Sequence, residues 1–201
     1  MSQDPTNKTV EFIFDVGSPY TYLAFHALPK IAADKDARIV WTPVLLGGIF
    51  QATGNRSPVE TPAKGKHLEI DLQRWAAHYD VTYTANPHFP INTLMLMRGA
   101  VAMQMRSDEA LQRYLAAVFT GMFEKPCNMN DPATLGSVLA NAGFDPQELL
   151  ALTQQPEVKA RLKSNTESAV ERGVFGAPSF FVGDELYWGQ DRLNFVETAL
   201  S

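Results

Sequence analysis

The stretch Val10-Glu11-Phe12-Ile13-Phe14-Asp15-Val16-Gly17-Ser18-Pro19-Tyr20-Thr21-Tyr22-Leu23 decides the fold. Val10 to Asp15 is mostly apolar over a strand's length, which predicts a central strand in a sheet covered on both faces. Val16-Gly17 turns the chain. Ser18-Pro19-Tyr20 then opens a helix, since serine is a favoured N-cap and proline, with its fixed φ, suits the first helical position. Tyr22, Leu23, Phe25 and Leu28 carry an apolar face on at helical spacing to about Ala33. Arg38 to Val44 reads as a second strand. Strand, helix and strand in so short a span predict a parallel, right-handed βαβ unit.

Beyond it the pattern changes. From about Pro62 to Arg172 helical segments follow one another without a convincing strand. The periodicity predicts helices over Lys64 to Tyr79, Asn92 to Met105, Glu109 to Met122, Ala133 to Ala142, Pro146 to Leu152 and Glu157 to Glu171, with Gly143 and Gly173 as stops. Strand signals return in Ser179-Phe180-Phe181-Val182 and Leu186-Tyr187-Trp188, which flank Gly183-Asp184-Glu185 and so predict a hairpin. Asp191 to Leu200 closes as a helix. The order is βαβ, helical block, ββα.

Composition excludes several function classes. The 201 residues carry a formal net charge of -5, with no basic block of the kind that phosphate-backbone binding needs, so no nucleic-acid partner is expected. Arg98 interrupts the richest apolar window, Leu94 to Met105, and no membrane span is expected. Met1 to Val10 is polar and lacks the apolar stretch of a signal peptide, which predicts a cytoplasmic address. The single cysteine, Cys127, cannot form an internal disulfide, and no histidine lies near it in sequence. His26, His67, His78 and His88 show no metal-ligand spacing, so no metal site is expected.

Two positions carry chemical promise. Ser18 stands where strand meets helix; there the first-turn N–H groups and the helix dipole favour an anion. A cap hydroxyl there donates to a thiolate and lowers the thiol's pKa. Gly176-Ala177-Pro178 is the second position. Proline at the entry to a strand suits an edge or turn, and a cis bond would expose the backbone N–H and C=O of Ala177 to an incoming peptide. Taken alone, each has a plainer reading, a helix cap and a loop proline. Together, a βαβ unit with a special residue at its first helix N-terminus and a ββα unit entered through a proline make the thioredoxin plan, with the two positions side by side. The fold class expected is therefore α/β, a thioredoxin-like βαβ–ββα core with a large all-helical insertion. Its boundaries are 1–60 and 173–201 for the thioredoxin-like domain and 61–172 for the helical one. A dithiol oxidoreductase is excluded, because neither Ser18 nor Thr21 forms a disulfide.

Within that plan the chain resembles the 2-hydroxychromene-2-carboxylate isomerases and kappa-class glutathione transferases of the DsbA-like branch. The matching residues run from Phe14-Asp15-Val16-Gly17-Ser18-Pro19-Tyr20-Thr21-Tyr22-Leu23-Ala24 through Gly54-Asn55-Arg56-Ser57-Pro58 and Pro62-Ala63-Lys64. They continue in Asp71-Leu72-Gln73-Arg74-Trp75, Phe89-Pro90-Ile91-Asn92, Arg172-Gly173-Val174-Phe175-Gly176-Ala177-Pro178 and Trp188-Gly189-Gln190-Asp191-Arg192. The resemblance implies glutathione as the cofactor, with Ser18 binding and activating its sulfur and the Ala177-Pro178 backbone holding its cysteinyl part. Gly189, Gln190 and Asp191 match the segment that holds the γ-glutamyl end, although Asp191 also suits an N-cap for the closing helix. Asn55, Lys64 and Asn92 fall near the second substrate in the family. Asn55 and Lys64 equally suit a solvated loop and helix start, and Asn92 a helix cap. Thr61 departs from the asparagine that many relatives carry, which bears on the identity of that substrate.

The activity implied is glutathione-dependent isomerisation, in which the thiolate adds to a conjugated carbon, a single bond rotates, and elimination regenerates the thiol. A transferase conjugating an electrophile would use the same residues, and a non-catalytic glutathione-binding module is the third reading. The family further implies a small aromatic or electrophilic substrate and a homodimer.

Overall fold

The computed structural model describes residues 8–201. Residues 1–7, which begin both the polar N-terminal stretch and the 1–60 segment, lie outside the described residues. Four strands form one sheet among them: β1 (Thr9–Phe14), β2 (Arg38–Pro43), β3 (Ser179–Val182) and β4 (Glu185–Trp188). The order is β2-β1-β3-β4, with β1 parallel to β2 and antiparallel to β3, and β3 antiparallel to β4. The helices are α1 (Pro19–Asp34), α2 (Leu46–Thr53), α3 (Pro62–Tyr79), α4 (Leu94–Arg106), α5 (Asp108–Phe119), α6 (Pro132–Asn141), α7 (Pro146–Gln154), α8 (Pro156–Glu171) and α9 (Leu193–Ala199). This is the DsbA-like thioredoxin arrangement that the element order predicts.

The apolar run of β1 is explained by its two covered faces. Side chains alternate across a strand. Val10, Phe12 and Phe14 enter the larger core, while Ile13 joins Val44, Ile49, Ala169, Val174 and Phe181 on the other side. In the larger core Phe12 stacks on Phe180 at 5.1 Å and meets the Trp41 edge at 5.3 Å. The same cluster takes in Leu96, Leu111, Tyr114 and Phe119 from α4 and α5. Sheet and helical block thus share one apolar core, and truncating Phe12 there would cost about 3–5 kcal/mol.

Some boundaries differ from expectation. The segment after β2 carries no predicted element, and Gly47 and Gly48 in it are poor helix formers. It is nevertheless helical, as α2, with its first N–H held by a side chain of β1's following turn and Leu45 N–H held by Thr166 of α8 at 2.9 Å. Tertiary partners outweigh propensity there. The hairpin turn is Gly183-Asp184 alone, with Glu185 paired to Val182 inside β4. The closing helix begins at Leu193 after a 3₁₀ turn over Gln190–Arg192, and its N-cap is Arg192. Asp191 is therefore not the cap of that helix, which leaves its carboxylate available to other partners. No helix among the described residues is long and apolar enough to cross a membrane.

Candidate active site

Ser18 caps α1 in extended backbone conformation, and Pro19 follows at the first helical position. Its Oγ accepts from the Thr21 N–H at 3.2 Å, which is ordinary N-cap geometry. The hydroxyl proton goes elsewhere: Oγ donates to the Ala177 carbonyl at 2.9 Å, across a separation of 159 residues. The Ala177-Pro178 bond is cis, so the turn into β3 lies directly against the start of α1. The first turn of α1 contains no acidic side chain, so its positive end is left to an external anion.

Gly189 follows β4 and ties the turn back, its N–H donating to the Pro178 carbonyl at 3.0 Å. Its φ of +100° lies where L-residues are strained, and a Cβ would collide with Asp191 Oδ1. Glycine there lets the Asp191 carboxylate fold close over the backbone. Gln190 is buried, and its carbonyl accepts from the Tyr79 hydroxyl of α3 at 2.9 Å. Asp191 Oδ2 pairs with Arg192 at 2.5 Å. Burial, and then the Asp191 charge, push the Tyr79 hydroxyl up to about 12. The Tyr20 hydroxyl, which donates to Asp71 at 2.7 Å, is raised by burial first, then by Asp71, with Asp191 adding to it. Asp191 thus lies near the hydroxyls of both Tyr20 in α1 and Tyr79 in α3, with Arg192 as its ion-pair partner.

A cavity of about 640 Å³ opens above Ser18 and Ala177, walled by Tyr20, Phe50, Phe89 and Trp188. Asn55 and Lys64 also line it. Lys64 is exposed on the first turn of α3. Asn55 is committed to the backbone: Nδ2 donates to the Phe175 carbonyl and Oδ1 accepts from the Arg56 N–H, both at 2.8 Å. Asn92 lies off this wall, exposed, with its side chain accepting from the Leu94 N–H at 3.0 Å, and so acts locally at the start of α4. Gly189, Gln190 and Asp191 sit beside the cavity rather than in its lining. A larger space of about 850 Å³ lies between α2, α4 and α8 and holds none of the expected site residues. Among the described residues no three His, Cys, Asp or Glu side chains come together as a metal site. The Cys127 thiol is raised by burial and turned toward the Gly121 carbonyl and Met129 sulfur, both at 3.5 Å.

Sequence reasoning missed the aromatic walls and the buried carboxylate of Asp15 beneath the Ser18 turn. An acidic residue directly after the apolar run Phe12-Ile13-Phe14 was the available signal for the second. The walls come from segments far apart in sequence, and no local pattern marks them.

Comparison with known proteins agrees with this fold. A family model described as a DSBA-like thioredoxin domain matches residues 9–201. A 2-hydroxychromene-2-carboxylate isomerase of Sphingobium xenophagum is 31% identical over 195 residues, covering 96% of this chain and 98% of its own. Glutathione S-transferase kappa 1 of Caenorhabditis elegans is 26% identical over 208 residues, covering 98% and 92%. A solved 2-hydroxychromene-2-carboxylate isomerase superposes with a TM-score of 0.85 at 28% identity, over 96% of this chain and 94% of that one.

Proposed function

The chain belongs to the DSBA-like thioredoxin family, in the branch of the 2-hydroxychromene-2-carboxylate isomerases and kappa glutathione transferases, and from that premise we propose that it is a glutathione-dependent isomerase of small conjugated aromatics. The observation that carries this reading is the Ser18 hydroxyl, set on an acid-free helix N-terminus and 2.9 Å from the carbonyl beside a cis-proline.

The donor set fits a γ-glutamyl thiol peptide. Ser18 and the α1 terminus offer hydrogen-bond donors to a sulfur anion. The Asp191 carboxylate suits an ammonium group, and the backbone about Gly189 and Gln190 suits a carboxylate. Bound glutathione supplies a nucleophilic sulfur that adds reversibly to a conjugated carbon, so that a bond once double can rotate. Ser18 has one proton to give, and it is directed at the Ala177 carbonyl. Serving the sulfur therefore requires that the hydroxyl turn away from Ala177, while its lone pair continues to cap Thr21. Donors aimed at developing charge in a water-poor site are the largest usual contribution to catalysis. The aromatic walls suit a flat substrate, and Lys64 at the rim suits a carboxylate on it. A homodimer is part of the same proposal.

The match to kappa transferases over almost the whole chain favours a second reading, in which the thiol is consumed by conjugation. Incubation with glutathione and either a hydroxychromene carboxylate or a chlorinated nitroaromatic separates the two. Chromene turnover without loss of free thiol is the expected result. Stoichiometric loss of thiol, with no chromene turnover, would replace isomerase by transferase. Failure to bind glutathione at millimolar concentration would leave a non-catalytic module.

A further inference from the structure

Three segments distant in sequence meet on one buried carboxylate. Asp15 has no exposed surface. Its Oδ1 accepts from the Gly17 N–H at 2.8 Å, and its Oδ2 accepts from the Leu46 N–H at 2.7 Å and from the Thr93 hydroxyl at 3.0 Å. Its own carbonyl accepts from the Ser18 N–H at 3.1 Å. The partners are the turn that carries Ser18, the first residue of α2, and the residue before α4. Packing closes the same junction, since a Cβ on Gly17 would lie 2.7 Å from Thr93 Cγ2.

A carboxylate so placed is costly unless hydrogen bonds satisfy it. Burial raises its pKa, and the Leu46, Gly17 and Thr93 donors oppose that rise. All three partners donate, so an acceptor is needed at both oxygens. An amide in its place would turn an NH₂ group toward at least one donor. Asp15 is also absent from the cavity lining, so it acts through others. We infer that Asp15 is a positioning residue of the thiol site, fixing the Gly17–Ser18 turn against the starts of α2 and α4 and so setting the aim of the Ser18 hydroxyl. The far end of α2 leads through Gly54 to Asn55, which lines the cavity. The inference rests on the glutathione reading of Ser18.

The test compares wild type with Asp15→Asn, Thr93→Val and Thr93→Ser. It follows the ultraviolet thiolate absorbance of bound glutathione against pH, together with kcat, KM and melting temperature. Asp15→Asn is expected to return the thiol titration toward that of free glutathione and to lower kcat/KM by about 10²-fold, the scale of a small misplacement of reacting groups. Thr93→Val, which keeps the shape and loses the hydroxyl, shifts both in the same direction. Thr93→Ser keeps the hydroxyl and recovers most of that loss. The threonine pair carries the test if Asp15→Asn does not fold. Variants that melt earlier yet titrate and turn over like wild type would overturn the inference, leaving Asp15 a merely structural group. A wild type that leaves the thiol titration unshifted would instead overturn the glutathione reading, and the inference with it.

Discussion

Ser18 joins two tasks on one oxygen, since its lone pair caps α1 and its proton reaches Ala177. Ser18→Ala should therefore show two separable losses. Loss of the cap costs about 1 kcal/mol of stability in chemical denaturation. Loss of the donor is expected to cost about 10²-fold in turnover, measured as kcat on saturating glutathione. Unchanged turnover would remove the hydroxyl from the mechanism. Asp191 belongs to a different class of effect, because the proposed function gives it a binding role toward the ligand's ammonium group. Asp191→Asn should raise KM for glutathione roughly 10- to 100-fold, the worth of one hydrogen bond to a charged group. Its kcat should change little, as expected for binding shared by ground and transition states; a fall in kcat with KM unchanged would contradict that role. Ser18 and Pro178 were legible because both are punctuation residues whose backbone demands are local. Asp15 was not, because its partners Leu46 and Thr93 are 31 and 78 residues away.

Elements set these residues in place through a few ties. The loop after α2 is bound to the segment before the cis-proline by Asn55 and Phe175. Asn55→Ala should loosen that roof and raise KM for the second substrate by roughly 5-fold, the equivalent of one net hydrogen bond. An unchanged KM would mean that the tie does not shape the cavity. The turn after β4 offers a sharper case. Gly189→Ala should destabilise by about 1–3 kcal/mol, the cost of a side chain in a glycine-only conformation. It should also weaken glutathione binding by pushing Asp191 aside, and unaltered binding would show that the turn tolerates the carboxylate elsewhere. The starts of α1 and α7 and the hairpin were readable from Ser18, Pro146 and Gly183, whose preferences are intrinsic. By contrast, α2 runs through paired glycines and exists because Asp15 and Thr166 hold its first N–H groups. Propensity cannot report a partner supplied by another element.

At the scale of the molecule, the order βαβ, helices, ββα predicted a thioredoxin plan with a central first strand, and the sheet order β2-β1-β3-β4 has β1 inside it. The order did not reveal how closely the helical block shares the core of the sheet, because that depends on which faces of α4 and α5 turn inward. The junction between α1 and the π-helical turn Thr120–Glu124 gives a pH test of this packing. His26 is shifted below its ordinary value of 6.5 by burial, with Glu124 at 3.9 Å opposing the shift. A depressed pKa contributes stability that is complete above 6.5 and lost as pH falls from there through the folded-state value. Denaturation midpoints should fall over that window in wild type and fall less in His26→Gln; identical slopes would contradict the assignment.

The proposed function requires a sulfur anion held at the start of α1, and the thiol titration of glutathione bound to the wild-type protein tests that claim most directly. The bound thiol should ionise at least about one unit below the roughly 8.5 of an ordinary cysteine thiol, and Ser18→Ala should return it toward that value. Superimposable titrations for free glutathione and for its complexes with both proteins would contradict the account.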